Sequence, residues 1–168
     1  ELAGIRWGGT GVRSAQRAHL AEYPYRLEAG TLNTVGIVGL AAGLSWVQAK
    51  GVDVLRQQEA RLADRFLTGI ADHPALVVQG FAAEDGLALG PRRLPVVSLT
   101  VAGQEPETVG MFLDADWNIA VRTGLQCAPL AHEALGTAPL GTVRFGFGPF
   151  NTPTQVDRAI TALRNIAD

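Results

Sequence analysis

The sequence predicts an α/β fold, with a small two-layer domain that packs helices on one face of a mixed β-sheet. Three observations carry this. From residue 75 onward, short apolar runs alternate with helical periods in the order β-β-α-β-α-β-α. Two longer helical stretches precede them, between about residues 34 and 71. Residues 1–33 have weak periodicity and are rich in glycine and turn formers, as in "RWGGTGVRS" and "EYPYRLEAGTLNT".

Each element has its own signal. Asn33 or Thr34 caps a helix running to about Lys50, and Gly51 stops it. Asp53 is read as the cap of a second helix reaching about Ala71, whose Val54, Leu55, Leu62, Phe66, Leu67 and Ile70 form one stripe. "ALVVQGF" and "LPVVSLTV" read as strands. "EPETVGMFLDA" has the acids and proline of a helix start, with Val109, Phe112 and Leu113 on one face. "NIAVR" is a further strand, "APLAHEALG" a short helix ended by Gly136, and "GTVRFGFG" the last strand. The closing helix in "NTPTQVDRAITALRNIAD" has Thr152 as N-cap, Pro153 at its first position and Gln155 completing a capping box.

Composition narrows the function. Apolar residues make up 47% and charged residues 18%, which suits a filled core and argues against disorder. A net charge of −2 gives no field for nucleic acid or an anionic membrane. The longest apolar run, residues 35–49, is too short to span a bilayer comfortably. One cysteine allows no internal disulfide, and no secretory signal is visible, so a reducing, cytoplasmic setting is expected. There is no initiator methionine, and the first thirty residues read as the middle of something longer. Lys50 is the only lysine against thirteen arginines.

Four features can carry chemistry. Cys127 is the only thiol; a lone cysteine is usually a small buried hydrophobe. This one lies outside any apolar stripe, between Gly124 and Pro129, near a helix start and five residues after Arg122, a setting that favours a thiolate. Arg144 interrupts an apolar strand; it either holds a carboxylate with its planar fork or sits at an edge paired with Asp157 or Glu133. "GGTG" at 8–11 and "EAGTLNT" at 28–34 offer glycine turns and threonine hydroxyls that suit phosphate, though such turns are common. His19, His73 and His132 have no metal-ligand spacing, and His132, five residues after Cys127, is awkwardly placed to be its base.

Together and in this order, "RLEAGTLNT" at 26–34, "IAVRTGLQCAP" at 119–129 and "VRFGFGPFNT" at 143–152 resemble the C-terminal part of pyridoxal-phosphate-dependent cysteine desulfurases of the class V aminotransferase family. The likeness is greatest to the second group, related to selenocysteine lyases, and it covers essentially the whole chain. It implies the C-terminal portion of a fold-type I pyridoxal phosphate transferase, with residues 1–54 ending the large cofactor domain and 55–168 forming the small domain. It implies Cys127 as the nucleophile that takes sulfur from L-cysteine, leaving L-alanine and a persulfide. Arg144 would grip the substrate carboxylate and Arg122 would sit beside the cysteine loop. Thr31, with Gly30 shaping its turn, would reach the cofactor phosphate of the other subunit in a homodimer, and Thr10 would line the same region. A sulfur-acceptor protein and a place in iron–sulfur cluster assembly follow from the same resemblance.

The family's cofactor lysine, which follows a histidine, and its pyridine-binding aspartate are absent from this chain; Lys50 has no histidine before it. Where the best-known second-group members often carry two histidines ahead of the cysteine, this chain has Leu125 and Gln126. The alternatives are a selenocysteine lyase or cysteine lyase, or a non-catalytic sulfur-carrier module.

Overall fold

A computed structural model describes residues 2–4, 7–9, 11–13, 15–81, 89–90 and 93–168. The chain forms two compact units, Glu1–Gly51 and Val52–Asp168.

The first unit contains a 3-10 turn, Tyr25–Leu27, and helix α1, Thr34–Lys50. Asn33 caps α1, its side chain accepting from the Gly36 amide at 3.0 Å. Gly51 ends it at φ 84°, a value glycine takes without cost. α1 is apolar around its circumference, yet none of its residues is buried. Val35 is 83% and Val38 68% exposed.

The second unit opens with α2, Val52–Ile70, followed by β1 (Leu76–Val78), β2 (Val96–Val101), α3 (Pro106–Trp117), α4 (Pro129–Leu135), β3 (Val143–Gly146) and α5 (Pro153–Ala167). Asp53 lies within the first turn of α2 instead of capping it, because Val52 is already helical immediately after Gly51. α5 begins as its sequence indicates. Thr152 Oγ1 accepts from the Gln155 amide at 3.3 Å, and Gln155 Oε1 accepts from the Thr152 amide at 3.0 Å.

The sheet runs β1-β2-β3, and both pairings are antiparallel. A mixed sheet was expected from the order β-β-α-β-α-β-α, in which "NIAVR" follows β2 and α3. Chain order does not make those strands neighbours. β3 lies between them, pairing with β2 through Val96–Gly146 to Leu99–Val143 and with the 118–122 segment through a single antiparallel bridge, Arg122 to Arg144. "NIAVR" is therefore one bridge and not a ladder. It leaves α3 at Asn118, which takes the left-handed conformation at φ 52°.

Strand alternation sends Val97, Leu99, Val101, Val143 and Phe145 into the core with Leu62, Phe66, Leu67 and Ile70 of α2, Val109 and Leu113 of α3, and Val156 and Leu163 of α5. Phe66 is fully buried, its ring 4.8 Å from that of Phe145 and 5.2 Å from that of Phe147. Each such side chain contributes about 1.5–3 kcal/mol by burial. α2 and α5 are also tied at the surface by Arg65–Asp157 and Arg164–Asp72, both at 2.6 Å. The opposite sheet face carries Ser98, Thr100 and Arg144 with two half-exposed valines, Val77 at 50% and Val96 at 43%. No single described helix is long and apolar enough to cross a membrane.

Candidate active site

The functional candidates of the second unit gather at the end of β3. Arg122 and Arg144 exchange both backbone hydrogen bonds: Arg144 N–H donates to Arg122 O at 2.7 Å, and Arg122 N–H to Arg144 O at 3.2 Å. In such a pair the Cα atoms lie about 5.5 Å apart and both side chains leave on one face. That face is the one opposite the core, since Val143 and Phe145 flank Arg144 and point inward. Two guanidinium groups facing one another repel unless an anion lies between them. Among the described residues neither has a carboxylate within ion-pair distance, Glu133 included. The edge pairing of Arg144 with Asp157 does not form, because Asp157 is held by Arg65 through two hydrogen bonds of 2.6 and 2.8 Å.

Five residues beyond Arg122 the chain presents its thiol. Cys127 is exposed and free. It stands just outside α4, whose N-cap is Ala128. Leu125–Ala128 is a tight turn closed by Ala128 N–H donating to Leu125 O at 2.9 Å. Both central residues have positive φ, Gln126 at 52° and Cys127 at 62°. That pattern belongs to type I′ turns, which normally take Asn-Gly; with two side-chain-bearing residues it stores strain.

The surroundings hold this turn in place. Gly124, at φ 81°, makes the bend off Thr123, and its carbonyl accepts from Thr142 N–H at 3.2 Å. Gly141 packs against the Gly124 peptide so closely that a Cβ there would lie 2.7 Å from Leu125 N and nearer still to the Gly124 carbonyl. The Gln126 amide nitrogen donates to Arg122 O at 3.3 Å and to Thr142 O at 3.1 Å. The sequence drew attention to Cys127 and Gly124, to Gln126 only by its place ahead of the cysteine, and passed over Gly141 and Thr142. Nothing local marks the contacts that hold the turn, because Thr142 lies sixteen residues from Gln126 and eighteen from Gly124.

His132 is buried, its Nδ1 2.7 Å from Thr137 Oγ1, so it is engaged inside the 132–137 turn. Among the described residues no cluster of His, Cys, Asp and Glu is built to hold a metal.

In the first unit the two glycine–threonine stretches, separate in sequence, meet. Gly30 N–H donates to Gly9 O at 2.7 Å, and Gly11, at φ 72°, backs directly onto the Gly30 carbonyl. A Cβ at Gly8 would lie 3.3 Å from that of Ala29. Gly30, at φ 82°, leaves Thr31 exposed three residues before α1 begins. Thr10 lies outside the described residues. Lys50 is the last residue of α1.

The profile of the aminotransferase class-V family matches residues 2–159. The cysteine desulfurase of Enterobacter sp. (strain 638) is 35% identical over 166 residues, which cover 95% of this chain and 38% of that protein. The cysteine desulfurase of Escherichia coli O127:H6 is 38% identical over 144 residues, 85% of this chain and 32% of that one. The apo structure of a cysteine desulfurase from Thermococcus onnurineus NA1 superposes with a TM-score of 0.75 at 31% identity, over 95% of this chain and 38% of its own. An Escherichia coli cysteine desulfurase in its S-sulfonic acid form gives 0.74 at 26% identity, over 97% of this chain and 38% of its own. The chain thus spans less than two-fifths of the length of these relatives.

Proposed function

The chain belongs to the aminotransferase class-V family, and from that premise we propose that it is the C-terminal part of a pyridoxal-phosphate-dependent cysteine desulfurase. The observation that carries this reading is the convergence, within residues 122–144, of an exposed thiol on a strained turn and two bridged arginines that have no carboxylate partner among the described residues.

Cys127 is the nucleophile. Its sulfur bonds to the sulfur of L-cysteine as the substrate's carbon–sulfur bond breaks. The electron pair stays with carbon, which takes a proton to give L-alanine, and Cys127 is left as a persulfide. Arg144 holds the α-carboxylate by two parallel hydrogen bonds, and Arg122 adds positive charge on the same face. Gly30 and Thr31, with Thr10, would receive the phosphate of the cofactor; the turn at Gly30 and Thr31 offers a hydroxyl and backbone amides just ahead of a 17-residue helix, a setting that suits phosphate. Pyridoxal phosphate, when bound, supplies the electron sink for this chemistry. The lysine that attaches it belongs to a part of the protein outside this chain, since Lys50 is the only lysine present and lies at the end of α1.

Residues 1–54 are then the end of the large cofactor domain and 55–168 the small domain. The apolar, unburied α1 supports this, because such a helix is stable when covered by a larger body. A homodimer in which Thr31 serves the other subunit, a sulfur-acceptor protein, a role in iron–sulfur cluster assembly and a cytoplasmic setting complete the reading.

The test supplies L-cysteine to the complete protein. The unaltered enzyme releases L-alanine, and Cys127 gains the mass of one sulfur atom. Cys127→Ala does neither. Arg144→Lys keeps the chemistry and raises KM about tenfold or more, since one charge-assisted hydrogen bond is worth about 1.5–3 kcal/mol. Alanine released at full rate by Cys127→Ala overturns the proposal.

A further inference from the structure

Gln126 donates at once to the backbone carbonyl of Arg122 and to that of Thr142, two residues before Arg144, and we infer that it is a positioning residue that sets Cys127 relative to Arg122 and Arg144. The inference rests on the reading of Cys127 as nucleophile and Arg144 as carboxylate holder. Its basis is a shared acceptor. Arg122 O accepts from Arg144 N–H at 2.7 Å and from Gln126 Nε2 at 3.3 Å. A carbonyl oxygen has two lone pairs, so one keeps the arginines in register and the other anchors the side chain next to the thiol. The second N–H of the same amide donates to Thr142 O at 3.1 Å, with Thr142 Oγ1 also within 3.4 Å. Both principal partners are carbonyl oxygens, so the amide must present its nitrogen, and a carboxylate of equal length cannot replace it.

The backbone explains why the clamp is needed. Gln126 and Cys127 both occupy the left-handed region, which is costly for residues with a Cβ and persists only where surrounding bonds dictate it. Without the amide, the Thr142 carbonyl of a 1%-exposed residue loses its bond and the turn is free to relax. The sulfur then moves relative to a substrate whose carboxylate stays on Arg144. A misplacement of about 1 Å costs on the order of 10²-fold in rate while leaving binding intact.

The experiment uses the complete holoenzyme with Gln126→Glu, nearly isosteric but unable to donate, and Gln126→Ala. Turnover of L-cysteine, alkylation of Cys127 by iodoacetamide and deuterium exchange at residues 124–128 and in β2 are measured. In both variants kcat falls about 10- to 100-fold with KM within about twofold, the Ala128 amide exchanges faster, the alkylation rate changes, and β2 exchange is unchanged. If Gln126→Glu also loosens β2, Gln126→Ala decides. Unchanged kcat in both variants, or a loss of kcat without faster exchange at Ala128, overturns the inference. If the unaltered protein releases no alanine, the functional reading fails separately. Exchange and alkylation then judge the clamp, which is overturned if neither responds.

Discussion

Gly141→Ala is the sharpest probe of how the thiol turn is held. Two costs add at this position. The backbone has φ 82°, which an alanine adopts only at about 1–2 kcal/mol. The new methyl group would also lie 2.7 Å from Leu125 N and nearer still to the Gly124 carbonyl, whereas ordinary contact begins at 3.4 Å. The obstacle is backbone on both sides, so no side chain can swing away, and the turn must retreat by about 1 Å at a further 1–3 kcal/mol. That movement breaks the 3.2 Å bond from Thr142 N–H to Gly124 O. Gly136 provides the control: its φ is 69°, and a Cβ there meets nothing within 4 Å. Urea denaturation followed by circular dichroism should therefore show about 1–2 kcal/mol lost in Gly136→Ala and about 2–5 kcal/mol in Gly141→Ala. Only the second should accelerate exchange of the Thr142 amide. Equal losses in the two variants would refute the reasoning, because they would leave only the shared conformational cost and no role for the close approach.

Thr152→Ala removes the cap and half of the capping box of α5, and a loss of about 1 kcal/mol in the same denaturation measurement is expected; no change would mean the box is redundant. Acid stability follows from the two surface pairs. The side-chain hydrogen bond and charge of Arg164 hold Asp72 below its ordinary 3.8, and the hydrogen bond from Arg65, then its charge, do the same for Asp157. A carboxylate whose pKa is lowered by folding stabilises fully above its unfolded value, and that contribution is lost as pH falls through the folded one. The urea midpoint of the unaltered protein should thus drop more steeply below about pH 4 than that of Asp72→Asn/Asp157→Asn. The difference should shrink in high salt, since both pairs are exposed; identical slopes would remove the pairs from the account.

The helices were legible because their signals are local. Asn33, Thr152 with Gln155, Pro153, Gly51 and Gly136 mark helix ends by interactions spanning at most four residues, and the stripe Leu62-Phe66-Leu67-Ile70 declares which face of α2 is buried. Cys127 and Arg144 stood out for a related reason, as the wrong residue types for their surroundings. Neighbour relations between strands leave no such local mark. Nothing in "NIAVR" or "GTVRFGFG" states that the later strand slots between the earlier ones, so the sheet's antiparallel order and the pairing of Arg122 with Arg144 became visible only in the fold. The same holds for the "GGTG" loop, whose Gly9 meets Gly30 across twenty-one residues. Residue identity thus determined the helices and marked Cys127 and Arg144 as the candidates for chemistry. Tertiary structure alone decided which groups share a face and which bonds hold the thiol turn in a left-handed backbone, because those contacts are made between segments far apart in the chain.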